Sequence, residues 1–85
     1  MQVMIPSALQ SYTGHSKVEA VGATLADVLA DLDRCYPGIR FRMIDERERI
    51  RPHIRFFFDG EQIHDPAQAL NDGGELIIAQ ALSGG

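Results

Sequence analysis

The chain has 85 residues, the length of one small domain, which buries only about 60–65% of its unfolded surface and leaves little core to wall off a deep substrate pocket. With 45% hydrophobic and 24% charged residues and no long apolar run, it reads as a folded protein and not as a disordered, collagen-like or membrane-spanning one. The net charge of −4 hides an asymmetry. Residues 40–55 carry six arginines against three acids, and the remainder carries Lys17 and Arg34 against nine. A local, acid-diluted basic cluster on a body that repels phosphate argues against nucleic acid as a partner.

Gln2 to Pro6 is a short apolar run closed by proline, the pattern of a first strand. A loop carrying Leu9 and Tyr12 follows, and Lys17 to Val21 alternates with period two, a second strand expected to pair with the first as a hairpin. Thr24 supplies an N-cap hydroxyl with Asp27 three residues on. Leu25, Val28, Leu29 and Leu32 fall on one helical stripe, and Tyr36-Pro37-Gly38 ends that helix.

From Ile39 to Pro52 the charges are too dense for a core strand, and the segment is expected to be an irregular, ordered connection pinned by Ile39, Phe41, Met43, Ile44 and Ile50. His53 to Phe58 forms the next strand, with Ile54, Phe56 and Phe58 on one face and Arg55 and Phe57 on the other. Asp59-Gly60 is a two-residue hairpin signal into Glu61-Gln62-Ile63. Pro66 to Leu70 is expected to form one helical turn. Glu75 to Gln80, nearly continuous in apolar residues, is expected at the centre of the sheet.

Five strands and one main helix imply an α+β fold whose mixed sheet is covered on one face. Phe57, Ile77 and Ala79 then occupy the uncovered face, either as a docking surface or covered by Tyr12, Met4, the 39–52 segment or a second copy. The lone Cys35 excludes an internal disulfide, suits a reducing, cytoplasmic compartment, and is expected to be a buried, inert thiol. His15, His53 and His64 lack metal-ligand spacing, so no metal is expected. No grouping of serine, histidine and acid suggests a nucleophile, and no catalytic residue is assigned.

The closing stretch Asp72-Gly73-Gly74-Glu75-Leu76-Ile77-Ile78-Ala79-Gln80-Ala81-Leu82-Ser83-Gly84-Gly85 resembles the C-terminus of the ThiS/MoaD-like sulfur-carrier proteins, ubiquitin-like β-grasp domains ending in Gly-Gly. Ile5-Pro6, the helix after Thr24, and Phe57 to Ile63 add to the resemblance. The family's turn commonly has an acid where this chain has Gly74, and proline near Gln80 and Ala81. The resemblance implies a β-grasp domain over residues 1–80 and a flexible tail over 81–85.

It also implies a carrier and not an enzyme. A ThiF/MoeB-like adenylating partner would use ATP to activate the Gly85 carboxylate, and sulfur would be carried there as a thiocarboxylate for a sulfur-accepting biosynthetic enzyme, with no bound cofactor and no membrane. Gly84 and Ser83 would thread the partner's channel, since glycine without a Cβ passes where a bulky residue would not. Phe57, Ile77, Ala79 and Leu82 are the candidate docking residues. Two alternatives stay open: a ubiquitin-like modifier conjugated through Gly85, and a plain β-grasp interaction module.

Overall fold

The computed structural model describes residues 1–71 and 73–81. Its elements in chain order are β1 (Gln2–Met4), a 3-10 turn (Ser7–Leu9), α1 (Gln10–Thr13), β2 (Lys17–Glu19), α2 (Leu25–Cys35), α3 (Ile39–Met43), β3 (Ile54–Phe58), β4 (Glu61–Ile63) and β5 (Glu75–Gln80). The strands form one sheet in the order β2-β1-β5-β3-β4. β1 runs parallel to β5, and every other neighbouring pair is antiparallel. The sheet is therefore mixed, and the apolar β5 lies at its centre.

The register accounts for the core. Val18, Val3, Leu76 and Phe58 stand in one row across four strands, and Ile78, Phe56 and Ile63 in the next. All seven are buried, and α2 lays Leu25, Val28, Leu29 and Leu32 into the same core. Its N-cap is the expected one, with Thr24 Oγ1 accepting from the Asp27 N–H at 3.1 Å, which satisfies a donor that the helix leaves open at this end.

Three connections differ from the sequence reading. The loop after β1 is helical: its 3-10 turn and α1 bury Leu9 and Thr13, and Gly14 closes α1 with φ 72°, a left-handed conformation that glycine adopts cheaply. The start of the 39–52 segment is the helix α3, which buries Ile39 and Met43 one turn apart. Asp33 of α2 caps it, its Oδ1 accepting from the N–H groups of Gly38 and Arg40, both at 3.1 Å. Past α3 the chain is irregular but held, with Ile44 bridging Ile50 and Asp45 Oδ1 accepting from Arg47 and Arg49. Pro66 to Leu70 makes no helical turn; a turn closed by Gln68 N–H on the Asp65 carbonyl leads to a bridge between Ala69 and Thr24.

Both opening strands are shorter than their apolar patterns. Proline at position 6 has no N–H to extend the ladder past Ile5, whose own N–H reaches Ser16 O at 2.8 Å. Beyond Ala20, Val21 leaves the sheet and donates its N–H to Asp31 Oδ2 at 3.0 Å. Asp59 and Gly60 adopt φ 49° and 87°, the paired positive values of a type I′ turn, whose twist matches that of the flanking strands.

Candidate functional site

β5 carries the chain toward its C-terminus between two neighbours. Its ladder continues one residue further, Ala81 N–H donating to His53 O at 2.8 Å. Leu82, Ser83, Gly84 and Gly85, the residues read as docking, threading and acyl attachment positions, lie outside the described residues, as does most of the 81–85 tail.

The remaining three candidates come together. On the face opposite α2, Lys17, Met4, Ile77, Phe57 and Gln62 form one row across all five strands, and Ala79 lies beside Arg55 in the row nearest the C-terminal end of β5. Ile77 is 38% exposed, and Phe57 and Ala79 are half-buried. Met4 is a member of this apolar strip. Tyr12 packs against the core edge, and α3 packs on α2 on the other side of the sheet. Period-two alternation located Phe57, Ile77 and Ala79; Met4 needed the parallel register with β5.

Two other readings are corrected. Cys35 is exposed, because it follows Arg34 off the buried stripe of α2 at the end of the helix. Phe41 does not pin the 39–52 segment; it is 57% exposed, and the Arg51 guanidinium lies over its ring at 4.6 Å while Arg51 Nε donates to the Phe41 carbonyl. Ile39 and Met43 take the buried side of so short a helix and leave Phe41 outside.

The charged groups are held by local hydrogen bonds. Asp31 lies below its ordinary pKa because the Val21 N–H and then the Arg34 guanidinium favour its anion. Asp45 is lowered chiefly by the Arg49 N–H. Arg34 pairs with Asp31 and Arg40 with Glu48. Arg42 instead donates from Nε to Tyr12 Oη at 2.7 Å, which favours its cation still further. His15 and His64 are exposed and His53 half-buried, and among the described residues no three His, Cys, Asp or Glu side chains stand together as a metal site. The sheet thus offers an apolar contact strip beside the exit of β5.

Comparison with known proteins decides what that geometry belongs to. The sequence model of the ThiS family matches residues 3–85, Gly84 and Gly85 included. The chain belongs to the ThiS family. It is 34% identical to the sulfur carrier protein CysO of Mycobacterium tuberculosis over 98% of this chain and 96% of that one. It is 32% identical to small archaeal modifier protein 3 of Haloferax volcanii over 74% and 71%. The fold superposes on a chain of the Amycolatopsis orientalis BexX/CysO complex with TM-score 0.91 at 31% identity, covering 99% of this chain and 98% of that one. The five-stranded sheet with its packed helices is thus the ubiquitin-like β-grasp, and the chain is a homologue of ThiS-family sulfur carriers.

Proposed function

We propose that this ThiS-family chain carries sulfur on the carboxylate of Gly85, and that the apolar strip of Met4, Phe57, Ile77 and Ala79 docks the enzyme that charges it. A carboxylate is resonance-stabilised and does not exchange oxygen for sulfur unaided. A separate ThiF/MoeB-like adenylating enzyme meets that need: a Gly85 carboxylate oxygen attacks the α-phosphorus of ATP and pyrophosphate leaves. Hydrosulfide then attacks the acyl carbon, AMP leaves with the carboxylate oxygen, and a proton is released as the thiocarboxylate forms. ATP belongs to the partner, and the carrier contributes the acyl group.

The observation that supports this most is the family match through Gly84-Gly85 together with β5 held by β1 as far as Ile77 and by the β3 side as far as Ala81. Four residues follow that last ladder hydrogen bond. Glycines lose much conformational freedom on being ordered in a channel, so affinity has to come from the folded face. A sulfur-accepting biosynthetic enzyme is the second partner, a class consistent with the BexX/CysO complex solved for the relative. We place the carrier in the reducing cytoplasm, where the exposed Cys35 stays a thiol.

The test is mass spectrometry of the chain incubated with a ThiF/MoeB-like enzyme, ATP and sulfide. The C-terminal peptide should gain the mass of one oxygen replaced by sulfur, and deletion of Gly84 and Gly85 should abolish the gain while leaving thermal stability unchanged. A function intact after that deletion would instead indicate an interaction module. A second reading, isopeptide conjugation to lysines, is favoured by the similarity to small archaeal modifier protein 3. It requires slower-migrating conjugates of a tagged copy in cells.

A further inference from the structure

Where β5 ends, a cleft of about 320 Å³ opens on the side of the sheet opposite the apolar strip, lined by Ala8, Leu9, Ser11, Tyr12, Arg42, His53 and Gln80. Five of these side chains carry polar groups: Ser11 and Tyr12 from α1, Arg42 from α3, and His53 and Gln80 from the two strand ends that Ala81 ties together. We infer that this cleft is a carboxylate-recognition site, taking an aspartate or glutamate side chain of the protein that receives residues 82–85.

The donors are left over by the way Arg42 is held. Its Nε is committed to Tyr12 Oη, which leaves the terminal guanidinium N–H groups for another acceptor. Tyr12 Oη accepts in that bond, so its own O–H proton is available to donate. Arg34, Arg40 and Arg49 each pair with an acid, whereas Arg42 has no carboxylate within ion-pair distance among the described residues. A planar guanidinium beside a hydroxyl and an amide is the donor set that a carboxylate accepts best.

Position supplies the second argument. Gln80 lines the cleft and Ala81 immediately follows, so a protein that takes hold of the chain just past Ala81 comes within reach of this cleft. Charge supplies a third. The cleft opens from the +3 segment of a molecule whose remainder is −7, so an acidic surface is drawn to this end and repelled elsewhere, fixing orientation before contact. The inference rests on the proposed delivery of the C-terminus to another protein, but its test does not involve charging.

The full chain, labelled with 15N, is titrated at low salt with blocked tetraglutamate, blocked tetraglutamine and inorganic phosphate, and followed by NMR. Tetraglutamate should give saturable shifts at Tyr12, Arg42, His53 and Gln80 that weaken as salt is added, and tetraglutamine should give none. Arg42→Gln should weaken tetraglutamate about tenfold, Arg42→Lys less, and Arg34→Gln not at all. Shifts centred on Arg47, Arg49 and Arg51 and unchanged by Arg42→Gln would overturn the assignment. So would phosphate saturating the cleft without tetraglutamate doing so, or no saturable shift. Each of these outcomes is independent of whether Gly85 becomes a thiocarboxylate.

Discussion

The ring of Phe58 stands where a side chain on Gly74 would begin: a Cβ there would lie 2.2 Å from Cζ of Phe58 and 3.0 Å from Oδ2 of Asp59. Asp59 is itself engaged, its Oδ1 accepting the Glu75 N–H at 3.0 Å. The acid that ThiS/MoaD-like proteins commonly carry in this turn would here meet a ring and a like charge, which accounts for the glycine.

Gly74→Ala should therefore destabilise by about 1–3 kcal/mol, the usual cost of overpacking, and lower Tm by about 4–8 °C per kcal/mol. Gly74→Asp should cost more. Combining Gly74→Ala with Phe58→Leu should cost less than the sum of the two single changes in denaturant melts, because the smaller side chain vacates the contested space. Strict additivity would count against the clash.

Gly22 is under a harder constraint, since its neighbours are backbone. A Cβ there would lie 2.6 Å from Val28 N and 2.8 Å from Asp27 C, on the first turn of α2. Gly22→Ala should cost about 1–3 kcal/mol and should speed hydrogen exchange at the Val21 N–H that Asp31 accepts. Protection unchanged at Val21 would show that the loop has room.

The apolar strip predicts a separation of binding from folding. Phe57→Ser and Ile77→Ser lie on the open face, so unfolding free energy should change by no more than about 1 kcal/mol. KM for the adenylating enzyme should rise roughly 30-fold if these are central contacts. Gln68→Ala, exposed and outside both the strip and the cleft, serves as the comparison. Unaltered kinetics in both strip variants would remove this face from the interaction.

Asp31 and Asp45 give the pH dependence its sign. Both pKa values lie below the ordinary 3.8, so the folded state holds these carboxylates as anions more strongly than the unfolded state does. Their stabilisation is complete above that ordinary value and is lost as pH falls below it through the lowered ones. Asp31→Asn should therefore lower stability at neutral pH by an amount that shrinks toward zero in strong acid. Added salt should remove only the Arg34 share, because the Val21 N–H hydrogen bond acts over 3.0 Å, well inside the screening length of ordinary salt. A difference growing toward low pH would contradict the assignment.

The elements read correctly from sequence are those whose signal is local. α2 has a complete apolar stripe and a side-chain cap, Asp59-Gly60 carries its turn type in its residues, and the continuous apolar run of Glu75 to Gln80 reflects burial between two neighbours. What escaped was set by distant partners. α3 has only two buried positions, and its first turn is capped by Asp33 from another helix. The ends of β1 and β2 depend on which groups answer Ile5 and Val21. Cys35 and Phe41 are exposed by where short helices stop and turn. The apolar strip was three-quarters visible, and the cleft beside Arg42 was not, because α1, α3 and the ends of β3 and β5, distant in the chain, assemble it.

The placement of β5 has a mechanical meaning. Traction on the last residues would load it lengthwise against β1 and β3 together, so its bonds would resist in shear, many at once, instead of unzipping singly. If the chain is charged and discharged as proposed, it can then be tugged by its end and keep its shape.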